Sequence, residues 1–398
     1  MSDHRGARPA GGAQRVVVVH SSDEMYGADR ILLQVVAALA DGGVDVMVWL
    51  PDDIVHGPTP LCHELARQGV AFEHRSLPII RRANLTPRGV LVLARRSWGL
   101  RHALRSSRAD LVYCMTSACL LAAPVARSSG IRAVALHVQE MWSGSDARML
   151  RALARFTTLR ITISPAVDRA AALSSPASVV VDNCVPHPEP HPVPHPESQP
   201  GDGAGPRRTT SPGATFVVAS RWNAWKGHRT LLDAWGRAGC PGRLVVLGGP
   251  PPSGARVDVP VLAAALERPS SVDIVGEVPD IAPYVAGADA LVLPSDEPEP
   301  FGLVLLEAFR QARPVIASAA GGPLDVVTDG HDGWLFPSGD AEALATLLCD
   351  LTPERLAEAG RHARETYLAR YTPEVFRARI LELVRAELDR VRDRPVAQ

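Results

Sequence analysis

The sequence predicts an α/β fold with two domains, each built on a parallel β-sheet. The chain has 398 residues, more than the roughly 250–300 that a single hydrophobic core usually serves. Short apolar runs alternate with amphipathic segments, an order typical of parallel strands with helices on both faces. A segment rich in Pro, Gly and Ser, residues 186–214, interrupts this alternation, which then restarts.

The first half of the chain predicts a tail followed by one domain. Residues 1–14 are polar and predict a disordered tail, and residues 15–185 predict the first domain. A helix is predicted at ILLQVVAALADGG, which ends in glycine, and another at PLCHELARQGV. The predicted strands are VVVV (16–19), VDVMVWLP (44–51), VAFEHRSL (70–77), ADLVYCMT (109–116), IRAVALHV (131–138) and LRITIS (159–164).

The second half repeats the pattern in residues 215–371 and ends in a long helix, 372–398. We expect helices at 228–239, 259–269 and 302–313. The predicted strands are ATFVVASR (214–221), RLVVLGG (243–249), VDIVGEV (272–278), ADALVLPS (288–295), PVIASAA (314–320) and WLFPSG (334–339). Two such domains facing each other would enclose a cleft, which is a favoured place for a ligand.

The segment 186–214 predicts a linker, because its composition cannot bury a core. Within it, His187, His191 and His195 alternate with prolines. Metal binding by these histidines is one interpretation. A solvated polyproline-II linker is the interpretation that the composition favours.

Composition excludes several function classes. A formal net charge of −1 argues against nucleic acid as the main partner. Six cysteines without metal-ligand spacing predict free thiols in a reducing compartment. The sequence shows no signal peptide and no apolar run long enough for a transmembrane helix, so we expect a cytoplasmic protein.

Two carboxylates bracket an apolar stretch in EPFGLVLLE, residues 299–307. Pro300 prevents a helix from starting earlier, and Gly302 lets the backbone approach a ligand closely. Glu299 lies in a loop after a predicted strand and Glu307 lies inside the next helix. Both could accept hydrogen bonds from vicinal hydroxyl groups. Alternatively, Glu299 is a solvated loop acid and Glu307 a helix-surface residue.

Two cations lie in SRWNAWKGH, residues 220–228, after the first strand of the second half. Lys226 is the single lysine of a chain that otherwise uses arginine, which suggests a position where a compact charge is needed. Arg221 and Lys226 could converge on one anion, for example a diphosphate. Alternatively, both are surface cations.

Together these motifs resemble those of glycosyltransferase family 4. The resemblance rests on Arg221, on Lys226 with Gly227, on the stretch from Glu299 to Glu307, and on GGPLDVVTDGHDGWLFPSGD at 321–340. It implies the GT-B architecture: two Rossmann-like domains facing a cleft, with a C-terminal helix that crosses back. It also implies a bacterial, retaining hexosyltransferase that uses a nucleotide-diphosphate sugar, expected to be a UDP-sugar, and no cofactor. The acceptor would be a surface glycan, a lipid-linked glycan or a small molecule.

The resemblance also implies roles for individual residues. Arg221 and Lys226 would hold the donor diphosphate, and Glu307 would bind the ribose. Glu299 would bind sugar hydroxyls, helped by the backbone amides of Phe301, Gly302 and Leu303. Gly27 would let its loop approach the donor phosphate or the acceptor. No metal would be required, because cations and helix dipoles would carry the phosphate charge.

The loop LHVQEMW, residues 136–142, contains a candidate catalytic histidine, His137. Related sequences often carry a second histidine where this chain has Gln139, and Glu140 follows. His137 would contact the donor sugar, or it is a histidine at a strand end whose hydrogen bonds are satisfied within the chain. The sequence leaves both readings open.

The segment 74–108 predicts a membrane-facing surface, because it holds nine arginines with interleaved leucines and Trp98. An arginine-rich solvated helix is the alternative. For the whole protein, two further functions stay open: a nucleotide-sugar epimerase and a non-catalytic nucleotide-sugar-binding subunit.

Overall fold

The computed structural model describes residues 13–53, 60–81, 86–187, 213–251 and 254–393. Two compact units divide these residues. Unit 1 contains the chain up to Ile163, then Val167–Val181 and the chain from Phe376 onward; unit 2 contains Ser164–Ala166 and Asp182–Val375. Most of the predicted tail and of the predicted linker, including His191 and His195, lies outside the described residues.

Unit 1 is built on a parallel sheet that has seven strands among the described residues, in the order β3-β2-β1-β4-β5-β6-β7. The central strands are buried from end to end, as their apolar runs predict, whereas the edge strand β3 is partly exposed. The strands are β1 Arg15–Val19, β2 Asp45–Pro51, β3 Ala71–Arg75, β4 Leu111–Cys114, β5 Ala133–Val138, β6 Leu159–Thr162 and β7 Val179–Val180.

Helices connect the strands of unit 1, as right-handed crossovers between parallel strands require. They are α1 Gly27–Asp41, α2 Leu61–Arg67, α3 Pro87–Ser107, α4 Ala122–Ser128, α5 Gly144–Ala154 and α6 Pro165–Ala171. The longest of these, α3, begins at a threonine cap: the Thr86 hydroxyl accepts a hydrogen bond from the Gly89 N–H at 3.1 Å.

Unit 2 is built on a second parallel sheet, with six described strands in the order β10-β9-β8-β11-β12-β13. Phe216, Trp235, Ile316 and Phe336 lie in its buried core. The strands are β8 Ala214–Ala219, β9 Gly242–Leu247, β10 Val272–Gly276, β11 Ala290–Leu293, β12 Val315–Ser318 and β13 Gly333–Phe336. The helices are α7 His228–Arg237, α8 Val259–Ala264, α9 Ala282–Gly287, α10 Leu303–Phe309, α11 Pro323–Val326, α12 Ala341–Asp350 and α13 Pro353–Arg370.

The helix α10 is shorter than the sequence predicts, because it ends at Phe309 rather than near Arg313. Ala312 has a left-handed φ of 55°, and the N–H of Arg313 returns to the Ala308 carbonyl at 3.0 Å. This is a left-handed helix cap. Pro314 follows it and prevents the helix from continuing.

The last helix, α14 Pro373–Arg392, returns the chain from unit 2 to unit 1. It packs against the end of α1 at Gly42, where an added Cβ would lie 2.4 Å from Leu381. Arg385 donates to the Gly42 carbonyl at 2.6 Å, and Arg377 donates to the side chain of Gln34 at 3.0 Å. The predicted C-terminal helix that crosses back is therefore confirmed.

Each sheet has a point where the order of its strands reverses. In unit 2 the chain adds β9 and β10 on one side of β8 and then continues with β11 on the other side. In unit 1 the same reversal falls between β1 and β4. Open α/β sheets bind ligands outside the carboxyl ends of the strands at such a point. A ligand is therefore expected to bind at the loops after β8 and β11, or at those after β1 and β4.

Within the part of the chain that the structure describes, no helix combines the length and the apolar character needed to cross a membrane.

Candidate functional site

A lysine and a glutamate meet where the strand order of unit 2 reverses. The Lys226 ammonium contacts the Glu299 carboxylate, and the Ser295 hydroxyl donates to the same oxygen, Oε1, at 2.7 Å. The Glu299 side chain is 6% exposed and that of Lys226 is 18% exposed. Within the described residues both contacts use Oε1, so Oε2 remains to accept a hydrogen bond from a ligand.

The fold explains why residues 73 positions apart meet here. Lys226 lies in the loop after β8 and Glu299 in the loop after β11, and these strands are neighbours in the sheet. The loops are also joined by backbone contact, because the Asp296 N–H donates to the Trp225 carbonyl at 2.8 Å. The sequence pointed to Lys226 and Glu299 separately; the topology brings them together.

Glycines allow the loops to approach one another. Gly227 has a φ of 73°, and a Cβ there would lie 1.7 Å from the Pro294 carbonyl oxygen. Gly321 has a φ of 75°, and its Cβ would lie 2.2 Å from the Glu299 carbonyl oxygen. A larger residue would clash at either position. These two glycines therefore permit the close backbone contacts of their loops with Pro294 and with Glu299.

An aromatic ring and a neutral histidine surround the ammonium group of Lys226. Its ammonium lies 4.0 Å from the centre of the Trp225 ring, a cation–π distance. Burial, together with the charge of Lys226, lowers the pKa of His228 to about 4, so this histidine adds no charge near neutral pH. Lys226 is thus the cation that the structure places beside Glu299.

Arg221 follows the end of β8 by two residues, in a loop held from both sides. The Trp222 N–H donates to the Gly249 carbonyl at 2.8 Å, and the Val257 N–H donates to the Trp222 carbonyl at 2.9 Å. Arg221 is half-buried. That Arg221 and Lys226 bind one anion stays a prediction.

The backbone amides predicted to help Glu299 lie directly before and at the start of α10. Gly302 adopts a left-handed φ of 88°, and Leu303 is the first helical residue. Phe301 is buried against the Tyr371 ring, with ring centres 6.2 Å apart. Within the described ranges, the N–H groups of Phe301, Gly302 and Leu303 donate to no other residue. Among the residues that the structure describes, these amides therefore have no competing partner.

Glu307 lies in the middle of α10 and is nearly buried. Its carboxylate forms an ion pair with Arg310, one turn further along, with Oε2 2.6 Å from the guanidinium nitrogen Nη2. Arg310 also donates to the Pro186 carbonyl at 3.0 Å. Glu307 is thus a paired, buried acid rather than a solvated helix-surface residue. Its contact with a ribose stays a prediction.

His137 lies on β5 and is fully buried. The Tyr113 hydroxyl is 3.1 Å from its Nδ1, and the Phe376 ring stacks on the imidazole with ring centres 6.4 Å apart. Burial lowers the pKa of His137 to about 3, so the imidazole is neutral. Its Nε2 is buried and has no hydrogen-bond partner among the described residues, so the structure leaves both readings of this histidine open. A catalytic contact stays a prediction, and the proposed mechanism below does not use one.

The neighbouring residues of that loop form a polar cluster at the end of β5. Glu140 accepts a hydrogen bond from the Ser117 hydroxyl at 2.7 Å, and the Trp142 indole donates to the same hydroxyl at 2.7 Å. Burial raises the pKa of Glu140. Gln139 is buried, with its amide 3.4 Å from the Met115 carbonyl.

Gly27 is the first residue of α1, at the end of the loop that follows β1. Asp29 ties this loop to the helix, because it accepts hydrogen bonds from the Ser22 hydroxyl at 2.5 Å and from the Tyr26 N–H at 2.9 Å. His20 lies 2.8 Å from the same carboxylate. The loop that carries Gly27 is therefore held in one arrangement.

Sequence reasoning missed the partners of both glutamates. Ser295, which hydrogen-bonds Glu299, lies two residues after the end of β11. A serine at a strand end is common, so the sequence carries no signal for this contact. Arg310 lies three residues after Glu307, a spacing that places two side chains on one helix face. That spacing was the available signal for the ion pair.

Residues 213–353 match the family model described as "Glycosyl transferases group 1". This segment contains Arg221, Lys226, Glu299 and Glu307. A lipopolysaccharide core biosynthesis glycosyltransferase, LpsE of Rhizobium meliloti, is 31% identical over 181 residues, which are 44% of this chain and 51% of that protein. A D-inositol 3-phosphate glycosyltransferase of Streptomyces coelicolor is 37% identical over 131 residues, 30% of this chain and 28% of that protein.

The chain thus spans about half the length of the first of these relatives and less than a third of the second. Solved structures match over most of the chain. HepE of Anabaena in complex with UDP has a TM-score of 0.75 and 21% identity, over 94% of this chain and 100% of that one. WaaG, a glycosyltransferase involved in lipopolysaccharide biosynthesis, has a TM-score of 0.62 and 15% identity, over 93% of this chain and 99% of that one.

These likenesses agree with the two parallel-sheet domains and the returning helix described above. The chain has the GT-B fold that these solved structures share, and its residues 213–353 match the model of the group 1 glycosyl transferases.

Proposed function

We propose that this chain transfers a glycosyl group from a nucleotide-diphosphate sugar to a hydroxyl acceptor. The observation that carries the proposal is the contact between Lys226 and Glu299 at the strand reversal of unit 2. A cation and a buried carboxylate at one crevice suit a ligand that carries both phosphates and hydroxyls. The match of residues 213–353 to group 1 glycosyl transferases supports the same reading.

Each side chain has a distinct task in this proposal. Lys226 and Arg221 hold the diphosphate, and their charges stabilise the negative charge that develops on the leaving group. Glu299 accepts a hydrogen bond from a sugar hydroxyl through Oε2. Ser295 and Lys226 hold the carboxylate in place through Oε1. Glu307 binds the ribose while Arg310 fixes its orientation.

The donor in this proposal is a UDP-sugar. The solved structures of HepE contain UDP, UDP with glucose, or UDP-glucose, and they support uracil as the base. The sugar itself is proposed only as a hexose. The acceptor is a surface glycan, a lipid-linked glycan or a small molecule, and the similarity to the lipopolysaccharide enzyme LpsE favours a glycan.

Transfer is proposed to retain the anomeric configuration, by attack of the acceptor on the face from which the diphosphate leaves. The acceptor oxygen forms the new bond to the anomeric carbon as the bond to the diphosphate breaks, and the leaving phosphate takes the acceptor proton. Positioning and charge stabilisation then supply the catalysis. The neutral, buried His137 has no role in this scheme. The product should show the anomeric configuration of the donor by NMR.

The diphosphate is proposed to bind without a metal ion, because Lys226 and Arg221 supply the positive charge. Donor affinity should therefore be the same in EDTA and in added Mg²⁺. A donor that binds only with Mg²⁺ would contradict this part of the proposal.

A non-catalytic nucleotide-sugar-binding subunit is the second candidate. Gln139, which stands where related sequences often carry a histidine, is the feature that favours it. Consumption of a donor, by transfer or by slow hydrolysis, would exclude this candidate. Donor binding without consumption in the presence of lipid and glycan acceptors would favour it.

Membrane docking through α3 is proposed alongside a lipid-linked acceptor. The helix carries five arginines and no acidic residue. Leu91 and Trp98, seven positions apart and therefore on one face, are 72% and 76% exposed. An exposed apolar stripe with arginines suits the surface of an anionic membrane.

A thermal-shift panel of UDP-, GDP- and dTDP-sugars tests the donor site. A ligand at 100 times its dissociation constant stabilises the folded state by about 2.7 kcal/mol. We expect a shift with UDP-sugars for the wild type, and little shift for Lys226→Ala relative to its own ligand-free melting temperature. Arg229→Ala is the matched control, because Arg229 is an exposed cation three residues away. No shift for any nucleotide sugar would refute the proposal.

A further inference from the structure

Three side chains of different chemistry converge in unit 1, apart from the residues of the candidate donor site. They are Asp23 in the loop after β1, Cys62 in the first turn of α2 and His74 on β3. One carboxylate oxygen, the thiol sulfur and one imidazole nitrogen all lie within 4.8 Å of one another. Each comes from a separate element, so the fold rather than the local sequence brings them together.

The cluster is arranged around a buried carboxylate. Asp23 has no exposed surface. Its Oδ1 accepts a hydrogen bond from the Cys62 N–H at 2.8 Å, and its Oδ2 lies 2.8 Å from Nε2 of His74. Cys62 is 8% exposed, whereas the His74 side chain is 32% exposed. The cluster is therefore fixed on its inner side and open to solvent at His74.

We propose that Asp23, Cys62 and His74 bind one divalent transition-metal ion, with Zn²⁺ the best match. A thiolate, an imidazole and a carboxylate are the three ligand types of zinc sites, and three protein ligands leave a fourth position for water. A thiolate and a carboxylate also neutralise the two charges of the ion. The hard cations Mg²⁺ and Ca²⁺ prefer oxygen ligands alone. The inference does not rest on the proposed donor site, whose residues belong to unit 2.

Binding requires one proton to leave the chain. The ion takes the sulfur of Cys62 as a thiolate, and the thiol proton passes to solvent. His74 offers Nε2 in the tautomer that carries its proton on Nδ1. Ion binding should therefore strengthen as the pH rises.

A bound ion would join three elements of unit 1. Asp23 belongs to the loop that leads to Gly27, Cys62 lies on α2, and His74 lies on β3. The ion would fix this loop to the edge of the sheet. We expect Zn²⁺ to raise the melting temperature of the wild type.

Titration with Co²⁺ at pH 8 tests the site on the full chain. A cobalt–thiolate bond gives a charge-transfer absorption band that histidines and carboxylates cannot produce. We expect one equivalent of Co²⁺ to produce the band and Zn²⁺ to displace it. Absence of the band with excess Co²⁺ in the wild type would overturn the proposal.

Variants identify the ligands. Cys62→Ser should abolish the band, and His74→Ala should weaken Co²⁺ binding at least tenfold, since loss of even an outer partner of a ligand weakens metal binding by about 10–100-fold. Cys349→Ser is the control, because Cys349 is an exposed thiol. Circular dichroism checks that each variant folds. An unchanged band in Cys62→Ser, or its loss in Cys349→Ser alone, would refute the assignment.

Discussion

Lys226, the single lysine of the chain, contacts the buried carboxylate of Glu299, although the two residues are 73 positions apart. The contact forms because β8 and β11 are neighbours in the sheet while their loops lie on either side of its reversal point. An ion pair at this point can stabilise the two loops, and it also places one positive and one negative group where a ligand would bind. Its two tasks can be separated by experiment.

If the contact between Lys226 and Glu299 stabilises the fold, the losses of unfolding free energy in the two single variants should not add in the double variant. Lys226→Ala leaves Glu299 buried with Ser295 alone, and loss of one partner of a buried pair costs about 3–5 kcal/mol. Because Lys226 is partly exposed, we expect the lower end of this range. The double variant Lys226→Ala with Glu299→Gln should recover most of the loss in urea unfolding. Additive effects in the double variant would show that the contact contributes no stability.

The glycine beside Lys226 predicts a steric effect. Gly227→Ala and Gly239→Ala both place a side chain at a left-handed φ, 73° and 67°. At Gly239 nothing lies within 4 Å of the added Cβ, so only backbone strain of about 1–2 kcal/mol is expected. At Gly227 the Cβ meets the Pro294 carbonyl, and we expect a clearly larger loss of unfolding free energy. Equal losses in the two variants would contradict the close approach of these loops.

The buried His137 predicts a pH dependence of stability. Its pKa is about 3 in the folded protein, below the ordinary value of 6.5, so the unfolded chain binds a proton first as the pH falls. The contribution of His137 is present above pH 6.5 and is lost toward pH 3, at about 1.4 kcal/mol per pH unit. We expect His137→Gln, which can still form a hydrogen bond with Tyr113, to reduce the slope of unfolding free energy between pH 6 and 4.

The matched control for this slope is His102→Gln, because His102 lies on the exposed side of α3. The slope, rather than the absolute stability, is the quantity to compare. If His137→Gln and the wild type lose stability in parallel over this range, the histidine is not buried in the neutral form.

The exposed stripe of α3 predicts membrane binding. Co-sedimentation with vesicles that contain anionic lipid should fall at least tenfold for Leu91→Ala with Trp98→Ala, since burying each large apolar side chain contributes about 1.5–3 kcal/mol. Val261→Ala, an exposed apolar residue of unit 2, is the control and should have no effect. Binding by the wild type should weaken in high salt, because arginines attract the anionic headgroups. Failure of the wild type to sediment with anionic vesicles would refute membrane docking.

The sequence by itself determined the fold class and most of the elements. Apolar runs such as 16–19 and 290–293 form buried central strands, because a strand covered by helices on both faces needs apolar side chains on both faces. The long terminal helix was also evident from its periodicity. The boundary of α10 was not, because it depends on the left-handed cap at Ala312, a residue type that rarely adopts that conformation.

Only the tertiary structure decided which side chains meet. The sequence marked Lys226 and Glu299 as candidates, but their contact depends on the order of strands in the sheet, which local patterns do not encode. The same holds for Asp23, Cys62 and His74, which have no metal-ligand spacing in the sequence and converge only in the fold. The motif of His137 leaves its role open; packing against Phe376 and Tyr113 makes it buried and neutral in the fold, and a catalytic contact stays a prediction. Local sequence sets which residues can act, and long-range packing sets their partners and their access to solvent.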